Sequence, residues 1–302
     1  MTRSMLRALA LILGASLASA SGASDRLPAV YPEGPLIVGE TVLFADMRED
    51  AVVAWAGEGR RTFYESKGCG PTAVAPYGEG YVVLCHRADE IHAVSREGHF
   101  IGRFRKDTDG RTFDNPNDAS ADADGGVYFS ASGPFRNTRR RPGALLYLDA
   151  DGRVHRLVER LNYPNGVHFD RKTRRLYVSE HLAGRVLVFR ELAPGRLGSR
   201  EVFKDLAGEQ IEPIGNYPLM GPDGLDTDSR GNLYVAIYGA GLLVILSRGG
   251  PILHRLPVEK PLLTNVAISK DDRTLVLTGT EIVPRGSSAG LVQKLANPLY
   301  AE

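Results

Sequence analysis

The chain of 302 residues carries 37 basic and 36 acidic side chains, a formal net charge of +1. This balance excludes the basic surface with which proteins bind nucleic acid, so we expect no nucleic-acid partner. A hydrophobic share of 43% and a charged share of 24% are typical of a soluble globular protein with a sizeable core.

The first twenty residues differ in composition from the rest of the chain. Arg3 and Arg7 form a short basic stretch, an apolar run follows from Leu9 to Leu17, and Ala18-Ser19-Ala20 supplies the small residues of a cleavage site. This pattern predicts a signal peptide over residues 1–20, removed on export. We therefore expect a periplasmic or secreted protein without a membrane segment after cleavage. An uncleaved membrane anchor is the alternative.

Export makes the two cysteines informative. Cys69 and Cys85 flank a predicted β-hairpin, and an oxidising compartment would permit a disulfide between them. Two buried thiols are the alternative, because the register of a hairpin does not follow from sequence.

A short strand of apolar and aromatic residues recurs along the chain. Its copies are Val42-Leu43-Phe44, Val82-Val83-Leu84, Val127-Tyr128-Phe129, Leu176-Tyr177-Val178, Leu233-Tyr234-Val235 and Leu275-Val276-Leu277. The spacings between successive copies are 40, 45, 49, 57 and 42 residues, the period of a four-stranded propeller blade. We therefore predict an all-β fold, a single six-bladed β-propeller over residues 21–302, with each triplet in the second strand of its blade.

Polar residues precede the triplets at nearly constant distance. Nine to eleven residues before each triplet stand Glu33, Thr72, Asn117, Asn165, Asp223 and Asn265. Because the first strand of a blade lines the central channel, we expect these side chains to meet at one end of that channel. Carboxylate and amide oxygens are the ligands that Ca²⁺ or Mg²⁺ prefers. The set therefore predicts a cation on the propeller axis.

A second polar set follows the triplets. Four residues after the start of a triplet stand Asp46, His86 and Glu180. The triplet strand runs antiparallel to the inner strand, so these side chains are expected just outside the first set, where they would orient its ligands. The alternative is that they only satisfy hydrogen bonds within their blades.

Several phrases resemble the gluconolactonase and senescence-marker-protein family of six-bladed propellers, to which regucalcin belongs. They are Glu33-Gly34-Pro35, Asn115-Pro116-Asn117-Asp118, Tyr163-Pro164-Asn165-Gly166 and Pro222-Asp223-Gly224. The resemblance covers essentially the whole chain after residue 20. It implies a lactone-hydrolysing enzyme that uses Ca²⁺ or another divalent ion, with Zn²⁺, Mn²⁺ and Mg²⁺ as alternatives to Ca²⁺.

The resemblance also implies roles for particular residues. Glu33, Asn165 and Asp223 correspond to the metal ligands, and Asp223 also corresponds to the general base. Asn117 corresponds to an amide that holds substrate or the metal's water. Asn115 stands where some members have an arginine that contacts sugar hydroxyls, so we expect it in the substrate site.

The chemistry of the set agrees with hydrolysis of a lactone, and the family resemblance implies a sugar lactone in particular. A divalent ion polarises a carbonyl, and a neighbouring carboxylate accepts the proton of the attacking water. Two alternatives remain open from sequence: a propeller that only binds a ligand or protein around a structural ion, and an esterase or phosphotriesterase at the same ion. Oligomeric state does not follow from the sequence.

Overall fold

The computed structural model describes residues 25–57, 59–135, 143–215, 217, 219–283 and 287–300. The predicted signal peptide, residues 1–20, lies outside the described residues. Among the described residues, no helix has the length and apolar character needed to cross a membrane.

The described strands form six antiparallel blades of four strands each, which confirms the predicted all-β propeller. Blade 1 contains β2 (Pro32–Val38), β3 (Thr41–Asp46), β4 (Ala51–Ala56) and β5 (Gly59–Glu65). Blade 2 contains β6 (Pro71–Tyr77), β7 (Gly80–Cys85), β8 (Glu90–Val94) and β9 (Phe100–Phe104). Blade 3 contains β10 (Pro116–Ala121), β11 (Val127–Ala131), β12 (Gly143–Leu148) and β13 (Val154–Leu161).

The remaining blades follow the same order. Blade 4 contains β14 (Pro164–Asp170), β15 (Arg175–Glu180), β16 (Arg185–Ala193) and β17 (Arg196–Asp205), with a 3-10 turn at His181–Ala183. Blade 5 contains β18 (Gly221–Thr227), β19 (Leu233–Tyr238), β20 (Leu242–Leu246) and β21 (Ile252–Pro257). Blade 6 contains β22 (Leu262–Ile268), β23 (Thr274–Thr280), β24 (Gly290–Ala296) and β1 (Arg26–Ala29). A single pairing of Tyr238 with Leu262 links blades 5 and 6.

Blade 6 closes the ring with strands from both ends of the described chain. Its outermost strand, β1, pairs antiparallel with β24, with Arg26 opposite Gln293 and Ala29 opposite Gly290. The first and last parts of the chain are thereby held together, so opening the ring requires breaking this pairing. The recurring triplets did not indicate this closure, because β1 contains no such triplet.

The triplets occupy the second strands as predicted, and they form the core. Val82, Val83 and Leu84 of β7 are each 0% exposed. They face both neighbouring blades, so apolar side chains alternate between two clusters on either side of the strand. Full burial of one such side chain contributes about 1.5–3 kcal/mol, so the layers between blades provide most of the apolar stabilisation.

Cys69 and Cys85 are joined by a disulfide, which favours the first of the two readings of these cysteines. Cys85 ends β7 and Cys69 lies in the segment that leads into β6. The bond therefore ties the entry of the inner strand of blade 2 to the neighbouring strand.

Candidate functional site at one end of the channel

The inner strands β2, β6, β10, β14, β18 and β22 all begin at the same end of the central channel, which we name the site end. Each contains a β-bulge at its start, where the pairing register shifts by one residue. A bulge changes the direction of a side chain relative to the regular alternation of a strand. The polar residues predicted to line the channel lie at these irregular positions.

Four of the predicted residues occupy equivalent positions in their blades. Pro32, Pro116, Pro164 and Pro222 pair with Asp46, Ala131, Glu180 and Ile237, each the fourth residue after the start of its triplet. The residues that directly follow these prolines are Glu33, Asn117, Asn165 and Asp223. The last three are 7%, 6% and 4% exposed, in that order, and Glu33 is half-buried.

The other two predicted residues lie one position deeper, which corrects the expectation of six side chains in one register. In blade 6, Leu263 pairs with Gly279, so Thr264 takes the position equivalent to Glu33, and Asn265 follows it. In blade 2, the N–H of His86 donates to the carbonyl of Gly70. Pro71 therefore takes the position equivalent to Glu33, and Thr72 follows it. A count from the triplets missed this offset because the turns between first and second strands differ in length.

Glycines beside the site residues allow the inner strands to approach closely. A Cβ atom added to Gly166 would lie 2.2 Å from the carbonyl oxygen of Asp223. A Cβ atom added to Gly224 would lie 2.0 Å from Cγ of Asn265. The Asn-Gly and Asp-Gly pairs that look like turn signals in the sequence therefore serve strand packing at the axis.

Glu33, Asn165 and Asp223 come together at the site end. The Asn165 side chain lies beside Asp223, and the Thr264 hydroxyl, which donates to the carbonyl of Pro32 at 2.7 Å, lies beside Glu33. Burial, together with the negative charge of Asp223, raises the pKa of Glu33 well above its ordinary value. Burial and the nearby Asp118 raise the pKa of Asp223 in the same way. Several acidic groups are thus packed where ionisation needs a compensating positive charge.

One oxygen of this cluster has no protein partner. Oδ1 of Asp223 is buried and accepts no hydrogen bond from the described residues. A buried polar atom without a partner costs roughly 1–3 kcal/mol, so its persistence suggests that a ligand completes it. Two carboxylates and an amide oxygen are hard donors, and this set fits a divalent cation such as Ca²⁺.

Asp118 is a further acid of the cluster that the sequence patterns did not single out. Its carboxylate accepts hydrogen bonds from the N–H groups of Ala119 and Val167, at 2.9 and 3.0 Å. Burial raises the pKa of Asp118 to about 7, although the hydrogen bonds from the N–H groups of Val167 and Ala119 limit the rise. Because Asp118 occupies the deeper position of Asn265, it lies beneath the predicted ligands.

The second predicted set holds the segments that enter the inner strands. Asp46 accepts hydrogen bonds from the N–H groups of Val30 and Tyr31, at 2.8 and 2.9 Å, just before Glu33. Glu180 accepts one from the N–H of Asn162 at 2.8 Å and pairs with Arg185. Both carboxylates therefore position the backbone that carries a predicted ligand, while also satisfying hydrogen bonds of their own blades.

His86 and Asn115 form a similar link beside Asn117. Nδ1 of His86 lies 3.2 Å from the carbonyl oxygen of Pro116, and burial lowers the pKa of His86 to about 4. The side-chain amide of Asn115 donates to the carbonyl of His86 at 3.0 Å. That bond engages the amide nitrogen of Asn115 with the backbone, whereas Asn117, the second residue of β10, lies beside the cluster.

Aromatic side chains surround the site end. The ring of Phe135 lies 4.8 Å from the ring of Tyr163 and 5.5 Å from that of His181, centroid to centroid. His181 in turn lies 5.7 Å from Tyr238, whose hydroxyl is 3.2 Å from that of Tyr31. We name these five residues the aromatic wall.

The phenols of the aromatic wall stay protonated at neutral pH. Burial raises the pKa of Tyr238 to about 12, and the charges of Asp223 and Glu33 contribute to the rise. Burial and the same two carboxylates raise the pKa of Tyr31 and Tyr163. In the sequence, Tyr31 and Tyr163 each stand two residues before a predicted ligand in a Tyr-Pro phrase, a signal that would have identified them.

A cavity of about 850 Å³ opens at the other end of the channel, which we name the opposite end. There Nε2 of His168 lies 2.7 Å from Oγ1 of Thr227, and Nδ1 of His168 lies 3.1 Å from Oδ1 of Asp226. The cavity reaches inward to Asp118 and Asn265 but its lining does not include Glu33 or Asp223. Its polar groups are largely paired with one another.

Known proteins resemble this chain in sequence and in fold. The family model described as SMP-30/Gluconolactonase/LRE-like region matches residues 31–281. Lactonase drp35 of Staphylococcus epidermidis is 29% identical over 205 residues, which are 63% of this chain and 58% of that protein. The match therefore spans less than two thirds of the length of that relative.

Two solved structures share the fold. A gluconolactonase from Xanthomonas campestris aligns with a TM-score of 0.69 at 19% identity, covering 88% of this chain and 87% of that one. Regucalcin from Agrobacterium tumefaciens, described as a calcium-binding protein, aligns with a TM-score of 0.67 at 18% identity, covering 93% and 98%. At these identities the likeness establishes the propeller fold.

Proposed function

Because this chain belongs to the SMP-30/gluconolactonase/LRE-like family, we propose that it hydrolyses lactones with the help of a divalent cation at the site end. The proposed ligands are Glu33, Asn165 and Asp223. The observation that carries the proposal is the buried, unpartnered Oδ1 of Asp223 beside a second carboxylate. The lactonase relative from Staphylococcus and the calcium-binding regucalcin support the reaction and the class of cation, respectively.

The residues of the cluster have distinct tasks in this proposal. A bound divalent cation would supply a positive charge that polarises the lactone carbonyl and stabilises the oxyanion. Asp223 accepts the proton of the attacking water on its carboxylate. Glu33 would balance the charge of the cation, and that positive charge would offset the burial and the Asp223 charge that raise the pKa of Glu33. Asn165, whose side chain lies beside Asp223, would hold the cation together with that carboxylate.

The aromatic wall and Asn117 form the proposed substrate site. Phenols that stay protonated next to two carboxylates carry no charge and can donate hydrogen bonds, so they suit a neutral, oxygen-rich ring. Tyrosine faces also pack against the C–H groups of such a ring. We therefore propose a sugar lactone, and the gluconolactonase with the same fold supports this choice. Asn115 is proposed to contribute to the substrate site indirectly, because its amide holds the backbone carbonyl of His86.

We further propose that the chain is exported after removal of residues 1–20. The Cys69–Cys85 disulfide supports export, because such bonds persist chiefly in oxidising compartments. Intact mass measurement of protein recovered from the periplasm or medium tests this: a first residue near Ser21 is expected. Recovery of the full-length chain from the cytosol alone would contradict it.

A hydrolysis screen tests the function. Chelator-treated protein is supplied with Ca²⁺, Mg²⁺, Mn²⁺ or Zn²⁺ and assayed on sugar lactones, simple lactones, aryl esters and a phosphotriester. We expect metal-dependent turnover that is highest on a lactone. Preference for the ester or phosphotriester would reassign the substrate. Absence of turnover with metal bound would favour a ligand-binding propeller instead.

Asp223→Asn at saturating metal separates the base from a simple ligand. The amide keeps an oxygen of nearly the same shape but removes the proton acceptor, so turnover is expected to fall about 10²–10⁴-fold. The matched control is Asp151→Asn, because Asp151 is a surface carboxylate in a turn between β12 and β13, 75% exposed. If Asp223→Asn at saturating metal turned over substrate as fast as the control, Asp223 would not be the general base.

A further inference from the structure

A second group of potential metal ligands lies away from the channel, between blades 1 and 2. Cys69, Cys85 and His92 are all buried, and their ligand atoms lie within 4.8 Å of one another. Nδ1 of His92 is 3.3 Å from Sγ of Cys85. In the oxidised protein both sulfurs belong to the disulfide, so neither is available as a thiolate.

The imidazole of His92 is oriented in the way metal-binding histidines usually are. Its Nε2 lies 2.6 Å from Oε1 of Glu90. Burial opposes ionisation of Glu90, but hydrogen bonds from His92 and Arg105 hold the pKa of this carboxyl below its usual range. An ionised Glu90 accepts a hydrogen bond from the Nε2–H of His92, so Nδ1 carries the lone pair, with the Cys85 sulfur 3.3 Å away. A carboxylate behind the distal nitrogen is the common support of a metal-bound histidine.

A fourth potential metal ligand lies near Nδ1 of His92. The hydroxyl of Tyr64 lies 2.7 Å from Nδ1 of His92, and it reaches the group from β5 of blade 1. In the oxidised protein this hydroxyl is the hydrogen-bond donor to Nδ1. An ion that took over the lone pair of Nδ1 would release the hydroxyl, whose oxygen or a water then completes four ligands.

We propose that the reduced protein binds a soft divalent cation such as Zn²⁺ through Cys69 Sγ, Cys85 Sγ and His92 Nδ1. A dithiol reductant delivers two electrons and two protons to the disulfide, giving two thiols and its own disulfide. Each thiol then releases its proton when its sulfur binds the cation. Zinc bonds of about 2.3 Å to sulfur and about 2.0 Å to nitrogen in a tetrahedron place neighbouring ligand atoms roughly 3.5–3.8 Å apart.

One of the three separations between the proposed ligand atoms is already close to that geometry. The distance from Nδ1 to the Cys85 sulfur is already 3.3 Å, so the main movement is the separation of the two sulfurs after reduction. Thiolate and imidazole donors select Zn²⁺ or Co²⁺ over Ca²⁺, whereas the oxygen cluster of the channel has the reverse preference. The two sites are therefore distinguishable by metal type.

Cobalt spectroscopy on the full mature chain tests the proposal. Chelator-treated protein is reduced with a phosphine, checked for retained β-sheet by circular dichroism, supplied with excess Ca²⁺ and titrated with Co²⁺. We expect one equivalent of Co²⁺ with a thiolate charge-transfer band and tetrahedral visible bands, both lost on adding Zn²⁺. The oxidised protein is the matched control and should show neither band.

Two substitutions identify the ligands. His92→Gln removes the nitrogen donor and should weaken Co²⁺ binding at least tenfold, and Glu90→Gln should weaken it by about 10–100-fold, the usual effect of losing such a support. Absence of the thiolate band in the folded reduced protein would overturn the proposal. So would unfolding on reduction, or a band that His92→Gln leaves unchanged in strength and affinity.

Discussion

Both ends of the central channel contain buried acidic side chains, but only one end leaves an acid unsatisfied. At the opposite end, Asp226 accepts hydrogen bonds from the N–H groups of Thr227 and Ile268 and lies beside His168. At the site end, Oδ1 of Asp223 is buried with no partner among the described residues. An acid satisfied by protein groups contributes to stability, whereas an unsatisfied acid indicates where a ligand is needed.

Cavity size and polar chemistry indicate different ends of the channel as the ligand-binding site. The cavity of about 850 Å³ belongs to the opposite end, while the proposed ligands and the aromatic wall belong to the site end. A large pocket is a useful default for locating a ligand site, but it carries no information on charge or on missing hydrogen bonds. In this propeller the incomplete polar group is the better indicator.

Exchanging an acid for its amide at each end is expected to give the largest difference between the two ends. Asp223→Asn is expected to lower kcat/KM about 10²–10⁴-fold through loss of the proton acceptor. Asp226→Asn should retain wild-type turnover but lower the free energy of unfolding by about 1–3 kcal/mol, because its amide cannot accept every bond that the carboxylate accepts. Steady-state kinetics and denaturant unfolding measure the two effects. Equal loss of turnover in both variants would contradict the assignment of the site end.

Removal of the cation should affect the same end. At a Ca²⁺ concentration one hundred times its dissociation constant, the free energy of unfolding should exceed that of chelated protein by about 2.7 kcal/mol. Glu33→Gln should reduce this gain, whereas Asp226→Asn should keep it. Denaturant titrations with and without Ca²⁺ provide the measurement, and coincident curves for the wild type would mean that no such site exists.

The parts of this structure that sequence predicted are those with local signals. Each apolar triplet is a local β-strand pattern. The number of copies predicts the number of blades, and their spacing predicts four strands in each blade. Glu33, Asn117, Asn165 and Asp223 follow prolines at equivalent positions, so counting from the triplets found them. The metal-ligand assignment itself came from the family resemblance and remains a prediction.

The parts that sequence missed depend on contacts between distant segments. The offset of Asn265 arises from turn lengths and bulges, and it becomes visible only through the pairing of Leu263 with Gly279. The closure by β1 depends on strand pairing across the whole chain. The aromatic wall combines loops of several blades, so no single stretch of sequence contains it.

The close approach of strands at the site end is testable with glycine substitutions. In Gly224→Ala the new Cβ would lie 2.0 Å from the Asn265 side chain, so the variant should lose about 1–3 kcal/mol of stability by overpacking. Gly102→Ala is the matched control, because Gly102 lies in β9 with no atom within 4 Å of an added Cβ. Thermal unfolding compares the two variants. A larger loss in Gly102→Ala would show that the axis is not tightly packed.

The smallest expected effect is the pH dependence of the metal-free protein. Burial raises the pKa of Asp118 to about 7, whereas an aspartate in an unfolded chain titrates near pH 3.9. The folded state therefore holds this proton more tightly, so its stabilising contribution is complete below about pH 4 and is lost as the pH rises through about 7. The raised pKa values of Glu33 and Asp223 act in the same direction.

The melting temperature of chelated protein should therefore fall as the pH rises between about 4 and 7. Bound Ca²⁺ favours the ionised carboxylates and should flatten this fall. Asp118→Asn should also flatten it in chelator, because the amide does not titrate, even if the variant is less stable at every pH. The slope against pH, rather than the absolute melting temperature, is the quantity to compare. A chelated wild type whose melting temperature rises across this range would show that the acids of the site end are already compensated within the protein.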